Sequence, residues 1–357
     1  MKLVNLLWFI LASGTMGFTG EGYGYHKFIL PFAWIAKKCA MFVAKTVTVD
    51  AVVGNMPLKD DSSPKAFRPD CIFIDFIRWV LGGMLNAVGL SNFGVEYYLK
   101  LGEWQKRTKP FAISLMLVRG TREERIQEAR EFVEIMMRYL DEFGILPILK
   151  LNISCPNTSH DIRDLVGEQL EILSILAPLG LEIIVKVNAL ANIESVREIA
   201  NHEACNGICV SNTLPWADLP DWIKWKVFPE FSENTDSLSL VDWFKLRFFC
   251  KDKDFLNKIK KFKGKSPLAK YGGGGFSGKD MLPIVVAWIA RARQAGITKP
   301  IIGGGGIFTP LGVWRMYQAG ASAISIGSPL LFRPWMVPFN ILTAFVLFKL
   351  FPNNKEV

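Results

Sequence analysis

The sequence predicts an α/β fold, a (β/α)8 TIM barrel with an insertion between strands six and seven. Three observations lead to this prediction. Short apolar runs alternate with helical patterns along the chain, which is typical of a parallel sheet. Polar residues or glycines follow many of these runs, where a barrel keeps its binding residues. The length of 357 residues, 50% of them hydrophobic, suits one barrel domain over residues 1–357.

Eight apolar runs are predicted to be the barrel strands. They are Leu6–Ala12, Met41–Val47, Phe111–Leu117, Ile148–Ile153, Glu182–Val187, Gly207–Ser211, Pro300–Gly303 and Ala323–Ile326. The clearest helix between them is Arg122–Phe143, which carries charges on one face and apolar side chains on the other. Further helices are predicted over 165–176, 193–202, 281–295 and 310–319.

Two segments depart from this alternation. Asp50–Gly83 is polar and then apolar, and predicts a hairpin or excursion between strands two and three. Residues 214–270 form a basic, Trp-rich insertion with Trp216, Trp222, Trp225 and Trp243. Of the net charge of +9, the part of the insertion from Phe244 to Lys265 carries +7. The rest of the chain is therefore nearly neutral, and it does not indicate a nucleic-acid partner.

The cysteines and the two ends of the chain bear on its location. Six cysteines at irregular spacing indicate reduced thiols in a cytoplasmic protein, with no predicted metal site. Leu3–Ala12 is interpreted as part of the first core strand rather than as a signal peptide. The apolar C-terminal tail, 335–357, is too short and interrupted to span a membrane, and predicts a helix that packs on the barrel or on a partner. Peripheral membrane contact through 214–270 and 335–351 is the alternative.

The segment Leu151–Asn157 carries the strongest chemical signal. It places Cys155 between two asparagines just after an apolar run, and Pro156 then ends any regular element. The thiol is therefore expected in a loop at a strand end, where it can meet a ligand. The amides of the asparagines offer donors and acceptors, which suit a flat heterocycle with N–H and C=O groups.

Glycines and lysines at other strand ends indicate an anionic ligand. Gly303–Gly306 follows Ile301-Ile302, and Gly327-Ser328 follows the last predicted strand. This pairing matches the phosphate site of a barrel, where backbone N–H groups surround the anion. Lys45 and Lys186 also end apolar runs, which suggests two cations facing one ligand. Asn86, Asn152, Asn157 and Asn212 all fall on strand-end loops.

The chain resembles the dihydroorotate dehydrogenases, the flavin enzymes of pyrimidine synthesis. The motifs that carry the resemblance run in the same order along most of the chain outside the insertion and the tail. They are Ala12–Thr15, Lys45-Thr46, Gly54–Pro57, Met84–Leu90, Asn92–Val95, Asn152–Asn157, Lys186, Asn212-Thr213, Gly273–Gly278, Gly303–Ile307 and Gly327-Ser328. In this family a cysteine base marks the class 1 enzymes, so Cys155 resembles class 1.

The resemblance implies FMN as cofactor and the oxidation of dihydroorotate to orotate. Cys155 would be the general base that takes the C5 proton, while a hydride passes from C6 to FMN. The implied substrate-binding residues are Asn86, Gly89, Leu90, Asn152, Asn157, Asn212 and Thr213. The implied cofactor-binding residues are Ala12, Ser13, Lys45, Thr46, Lys186, Gly278, Gly305, Gly306, Gly327 and Ser328. A homodimer is implied as well, and the Met84–Leu90 loop is similar to the branch that pairs with an iron–sulfur flavoprotein subunit.

Two alternatives differ in function. A tRNA dihydrouridine synthase is also an FMN barrel with an Asn-x-x-Cys-Pro loop, but it carries an RNA-binding domain after the barrel, and little sequence follows Gly327 here. A catalytically inactive barrel could act as an adaptor through its insertion and tail. Cys155, the two lysines and the four asparagines argue against that reading. The sequence does not choose among fumarate, NAD and quinone as electron acceptor.

Overall fold

The computed structural model describes residues 7–153, 166–233 and 261–352. Eight parallel strands form one sheet: β1 (Phe9–Leu11), β2 (Phe42–Val43), β5 (Phe111–Leu115), β6 (Ile148–Asn152), β7 (Ile183–Val187), β8 (Cys205–Val210), β11 (Ile301–Gly304) and β12 (Ala323–Ile326). Their order is β1-β12-β11-β8-β7-β6-β5-β2. Met41 joins the two edges, since it accepts from Leu11 N at 2.9 Å and donates to Phe9 O at 3.0 Å. The predicted barrel and its eight strands are confirmed.

The barrel has two apolar cores. Inside it, each of the eight strands contributes one side chain to a single cluster: Ile10, Val43, Ala112, Ile148, Ile184, Cys209, Ile302 and Ala323. Outside it, the alternate strand residues, such as Leu149 and Val185, pack against the helices in a larger cluster. Because side chains alternate between the two faces of a strand, the residue two positions after each inner one also faces the barrel axis.

Helices cover the outside of the barrel or border its mouth. They are α1 (Leu30–Cys39), α2 (Phe76–Leu81), α3 (Val95–Lys100), α4 (Arg122–Met137), α5 (Val166–Leu176), α6 (Ile193–Asn201), α7 (Asp221–Val227), α8 (Leu282–Gln294), α9 (Pro310–Gln318), α10 (Ser328–Phe332) and α11 (Val337–Ala344). A capping box between Thr121 and Glu124 begins α4. The α4 helix ends at Met137, before the predicted Phe143, and a short 3-10 turn follows over Leu140–Glu142.

A second, antiparallel sheet lies beside the carboxyl ends of the barrel strands. It contains β3 (Ile72–Phe73), β4 (Gly83–Asn86), β10 (Gly275–Gly278) and β9 (Leu214–Pro215), in that order. The predicted excursion before strand three thus supplies β3, and the end of the insertion leads into β10. Gly278 pairs with Gly83, and a Cβ on Gly278 would lie 2.6 Å from Gly82 O. Only glycine allows the two strands to approach so closely there.

The described part of the insertion is packed rather than open. The Trp216 ring meets Phe228 and Phe262 edge-on, and Trp225 is buried. Lys226 forms a buried ion pair with Asp280 at 2.7 Å, which ties α7 to the turn before α8. Trp243 and most of the basic run, at 234–260, lie outside the described residues.

The C-terminal tail forms helical structure, as predicted. α11 continues into a π-helical turn over Phe345–Leu350, and α1 packs against α11. Among the described residues, no helix is both long and apolar enough to cross a membrane.

Candidate functional site at the barrel mouth

A cavity of about 680 Å³ opens where the barrel strands end. The β4–β10 pair forms one wall, the strand-end loops form others, and α2 contributes to the outer wall. Its lining includes fifteen of the predicted site residues: Ala12, Ser13, Lys45, Thr46, Asn86, Leu90, Asn152, Lys186, Asn212, Thr213, Gly278, Gly305, Gly306, Gly327 and Ser328. Residues far apart in sequence therefore meet at one site. The volume is within the usual range for a small-molecule pocket.

The floor of this cavity is polar because of the alternation along the barrel strands. For each barrel strand, the residue two positions after the member of the inner apolar cluster belongs to a second ring. These residues are Ala12, Lys45, Ser114, Lys150, Lys186, Ser211, Gly304 and Ser325. We call this ring the polar layer. It contains three lysines and three serines, and no acidic residue. The barrel interior thus changes from apolar to cationic within one step along the strands, which favours an anionic ligand above it.

Two asparagine amides are held together in the cavity wall. Asn212 Nδ2 donates to Asn152 Oδ1 at 2.7 Å, and both side chains are buried. Asn152 ends β6, where it pairs with Lys186 of β7. The pair therefore places amide groups beside a lysine at the carboxyl ends of neighbouring strands. This set can bind a planar ligand through N–H and C=O groups and can also hold negative charge.

Three hydroxyl groups form a chain along the opposite side. Ser13 donates to Ala44 O at 2.9 Å and shares a hydrogen bond of 3.0 Å with Thr46. Thr46 in turn shares a bond of 2.9 Å with Ser114 in the polar layer. The chain fixes the rotamers of Ser13 and Thr46, so that this wall is preorganised.

The two predicted lysines differ in their surroundings. Lys186 is buried and lines the cavity. Lys45 also lines the cavity, but its ammonium donates to Ser91 O at 2.5 Å and lies 4.4 Å from the centroid of the Phe18 ring. Both predicted lysines therefore border the cavity, and the Lys45 ammonium is also held by a carbonyl and an aromatic face.

A glycine-lined recess lies after β11 and β12. Gly305 and Gly306 have φ of 112° and 74°, a backbone region that favours glycine. A Cβ on Gly306 would lie 2.5 Å from Leu282 N, and one on Gly327 would lie 3.1 Å from the Ala12 Cβ. Without side chains here, a ligand can reach the backbone N–H groups, as phosphate sites require.

The end of β4 and the loop after it reach the cavity at two of the three predicted positions. Asn86 donates to Gly275 O at 3.3 Å across the second sheet and still lines the cavity. Gly89 is not part of the cavity wall. Its backbone packs against Asn55, whose Nδ2 would lie 3.0 Å from an added Cβ. Leu90, with φ of 60°, does reach the wall.

Cys155 and Asn157 lie outside the described residues. The last described position before them is Ile153, whose N–H donates to Lys186 O at 3.2 Å. The structure therefore describes the strand that leads to the predicted base but not the base itself.

Several residues that line the cavity were not predicted from the sequence. Tyr23 and Tyr25 stand in the wall with their rings stacked, 5.9 Å apart at the centroids. Burial raises the pKa of both phenols, so they remain neutral hydroxyl groups near neutral pH. The outer wall is apolar and contains Phe67, Phe76 and Trp79. The alternation of glycine and tyrosine over 22–25 was the available signal for the tyrosines.

The cavity fits the flavin that the resemblance implies. Ser325 Oγ lines the cavity and is buried without a hydrogen-bond partner among the described residues. The glycine recess can take a phosphate, and apolar walls beside Lys186 can take a ring that carries carbonyl groups. Among the described residues, no cluster of histidine, cysteine or acidic side chains has the makings of a metal site.

Lys150, in the polar layer beneath the cavity, is expected to lower the stability of the cofactor-free protein. Its side chain is 1% exposed, and its Nζ has no hydrogen-bond partner among the described residues. We expect Lys150→Met to raise the free energy of unfolding of the cofactor-free protein by about 1 kcal/mol or more, because a buried amino group without a partner among the described residues is replaced by an apolar chain of similar length. Urea denaturation measures this, with the exposed Lys65→Met as control. A lower free energy of unfolding in Lys150→Met than in the wild type would contradict the interpretation that the Lys150 side chain is buried without a stabilising partner.

Comparison with known proteins agrees with this geometry. Residues 8–345 match the family model described as dihydroorotate dehydrogenase. A relative from Carboxydothermus hydrogenoformans, named dihydroorotate dehydrogenase B (NAD(+)), catalytic subunit, is 26% identical over 92% of this chain and 84% of its own. Dihydroorotate dehydrogenase A (fumarate) from Lactobacillus helveticus is 27% identical over 89% of this chain and 81% of its own.

A solved structure supports the fold. The ligand-free dihydroorotate dehydrogenase from Eimeria tenella superposes with a TM-score of 0.59 at 18% identity, and the match covers 96% of this chain and 84% of that one. The resemblance read from the motifs is thus confirmed by a match along nearly the whole chain. This chain belongs to the dihydroorotate dehydrogenase family.

Proposed function

We propose that this protein oxidises dihydroorotate to orotate in pyrimidine biosynthesis, with FMN bound in the cavity at the barrel mouth. One observation carries the proposal: the Asn152–Asn212 amide pair, Lys186 and the glycine recess all border a single cavity. Family membership supports the choice of substrate. FMN, when bound, would supply the acceptor for the hydride from C6 of the substrate.

The cofactor would be held mainly by backbone and hydroxyl groups. Gly305, Gly306, Gly327 and Ser328 would surround the phosphate with N–H donors. The hydroxyl chain of Ser13 and Thr46 would border the ring, with Ala12 and Gly278 close by. Lys186 would contribute positive charge from the same wall, which favours a ligand that gains electrons.

The substrate would be oriented by amides. The hydrogen bond between Asn152 and Asn212 fixes the orientation of both amides in the cavity wall, which would present them to a pyrimidine ring in a defined geometry. Asn86, Asn157 and Thr213 would complete the set, and the backbone at Leu90 would lie near the carboxylate. Such positioning would hold the substrate so that the C5 proton and the C6 hydride can both be removed without the ring moving.

Cys155 would act as the general base for the C5 proton. It comes three residues after Asn152, the last residue of β6. A free thiol has a pKa of about 8.5, so a modest downward shift yields thiolate near neutral pH. The proton would therefore pass to sulfur at the strand end while Asn152 holds the substrate.

Relatives within the family differ in the electron acceptor that their names specify. The relatives named above specify NAD(+) or fumarate in their names. The NAD(+) relative is named a catalytic subunit, and we infer that this chain, if NAD is its acceptor, works with an iron–sulfur flavoprotein partner. A homodimer is our expectation for the chain itself.

Anaerobic reduction tests the proposed function. We expect the purified protein to be yellow and to lose its flavin absorbance when mixed with dihydroorotate. Orotate is the matched control, because it can use the same amide contacts but has no hydride to give. Fumarate, NAD and a quinone, added in turn to the reduced protein, identify the acceptor by the return of colour. A protein without flavin, or a flavin that dihydroorotate does not bleach, would refute the proposal.

A further inference from the structure

The outer side of α1 and α11 exposes large apolar side chains. Trp34 on α1 is 62% exposed, and Leu342 on α11 is also 62% exposed. On their inner sides the same helices bury Ala33, Ala36, Val337, Ile341 and Ala344 in the core. Both helices are therefore already anchored, and their outer apolar residues are not needed to hold them in place. Solvent-exposed clusters of this kind mark interaction surfaces.

Aromatic contacts beside these two helices reach the rim of the cavity. Trp335 lies beside Trp79, and the Arg333 guanidinium lies over both rings. Phe76 stacks near Trp79, and Phe28 meets Phe67 edge-on. We call the set Phe28, Trp34, Phe76, Trp335, Phe339 and Leu342 the apolar face. Phe76, which is 77% exposed, also lines the cavity, so the cavity opens beside this face.

The two chain segments that contribute most of the apolar face, 23–40 and 328–352, carry only positive charges. Residues 23–40 and 328–352 contain no aspartate or glutamate. They contain Lys27, Lys37, Lys38, Arg333 and Lys349, and the four lysines are exposed. The acidic residue beside the face is Asp75, next to Phe76, and it is paired with Arg78 at 2.8 Å. Aromatic and aliphatic side chains flanked by lysine and arginine, with no acid in these two segments, complement a surface that is apolar inside and anionic outside.

We propose that the apolar face docks on an anionic lipid bilayer. The indole and phenyl rings would enter the headgroup region, while the lysines would contact the phosphates. This differs from membrane contact through the insertion, because none of the strongly exposed large apolar residues lies in its described parts, 214–233 and 261–270. The proposal is independent of the reaction catalysed, and it requires no membrane-spanning segment.

Vesicle flotation tests the proposal with the full-length protein. We expect binding to vesicles of phosphatidylcholine with phosphatidylglycerol, weaker binding to phosphatidylcholine alone, and release by salt. The double variant Trp34→Ser/Phe339→Ser should bind about tenfold or more weakly, because two large apolar side chains no longer enter the bilayer. The matched control is Met137→Ser/Leu146→Ser, which alters exposed apolar residues at the end of α4 and just before β6 and should bind like the wild type.

Two kinds of result would overturn the proposal. One is a wild-type protein that ignores both vesicle types, or a Trp34→Ser/Phe339→Ser variant that binds them as well as the control does. The other combines two observations: the wild type does not bind vesicles, and the Trp34→Ser/Phe339→Ser variant differs from the wild type in oligomeric state, measured by light scattering. That result would assign the apolar face to a second copy of the chain. Thermal unfolding of each variant verifies that it is folded.

Discussion

Replacing Cys155 by alanine is expected to slow flavin reduction by dihydroorotate about a hundred- to ten-thousand-fold, the usual contribution of a positioned general base. The methyl group cannot take the C5 proton, so hydride loss from C6 would proceed without its partner step. The flavin should stay bound, because the predicted contacts to FMN come from other strand ends. Anaerobic stopped-flow absorbance measures the reduction rate, and the bound flavin is quantified separately.

The control for this experiment is Cys39→Ala, which removes an exposed cysteine at the end of α1, away from the barrel mouth. We expect it to reduce flavin at the wild-type rate. Cys155→Ser adds a second readout: a hydroxyl group is a poorer source of the anionic base than a thiol, so its activity should appear only at higher pH. Wild-type reduction rates in Cys155→Ala would show that another group is the base.

Replacing Asn212 by aspartate is expected to lower kcat/KM for dihydroorotate about a hundredfold, a typical cost of misplacing a substrate-positioning group. In the wild type, Asn212 Nδ2 donates to Asn152 Oδ1 at 2.7 Å. The aspartate keeps the shape but offers only acceptors, so two acceptor oxygens would face each other and Asn152 would have to turn. Flavin content should be unchanged.

A matched control is Asn206→Ala on β8, the strand that leads to Asn212. Asn206 is also buried and accepts from Ile183 N at 2.7 Å, but it lies near the start of β8, away from the cavity. Its loss should reduce stability without changing KM. Steady-state kinetics over a range of substrate concentrations distinguish the two variants. Equal kinetic effects in Asn206→Ala and Asn212→Asp would mean that Asn212 acts through folding and not through the substrate.

The barrel strands were predictable because their signal is local. Each apolar run is bounded by polar residues, and β5 through β8 fall within a residue or two of the predicted limits. The second strand is the exception: Met41–Val47 was expected, and β2 covers only Phe42–Val43. Lys45 N donates to Gly17 O at 2.8 Å instead of to a neighbouring strand. A loop from elsewhere in the chain competes for that backbone group, and no local pattern shows it.

The site was predictable where it depends on strand ends, and not where it depends on long-range pairing. Asn152, Lys186 and Asn212 follow apolar runs, so their place at the mouth followed from the fold class. The packing of Gly89 on Asn55, thirty-four residues earlier, is a contact of this long-range kind. The pairing of β4 with β10 joins residues almost two hundred positions apart, as between Asn86 and Gly275. Register over such distances leaves no trace in a single sequence.

By itself, the sequence determined the alternation of strands and helices, the chemical groups at the strand ends and the uneven distribution of charge. Only the tertiary structure decided which of these groups meet. Closure of the barrel turns eight separate strand positions into the polar layer, with Lys150 beneath the cavity. Packing of α1 on α11 likewise brings together two helices that both carry exposed apolar residues. The physical reason is that periodicity along a chain reports which side of an element is apolar, whereas the partner of that side is set by contacts between distant residues.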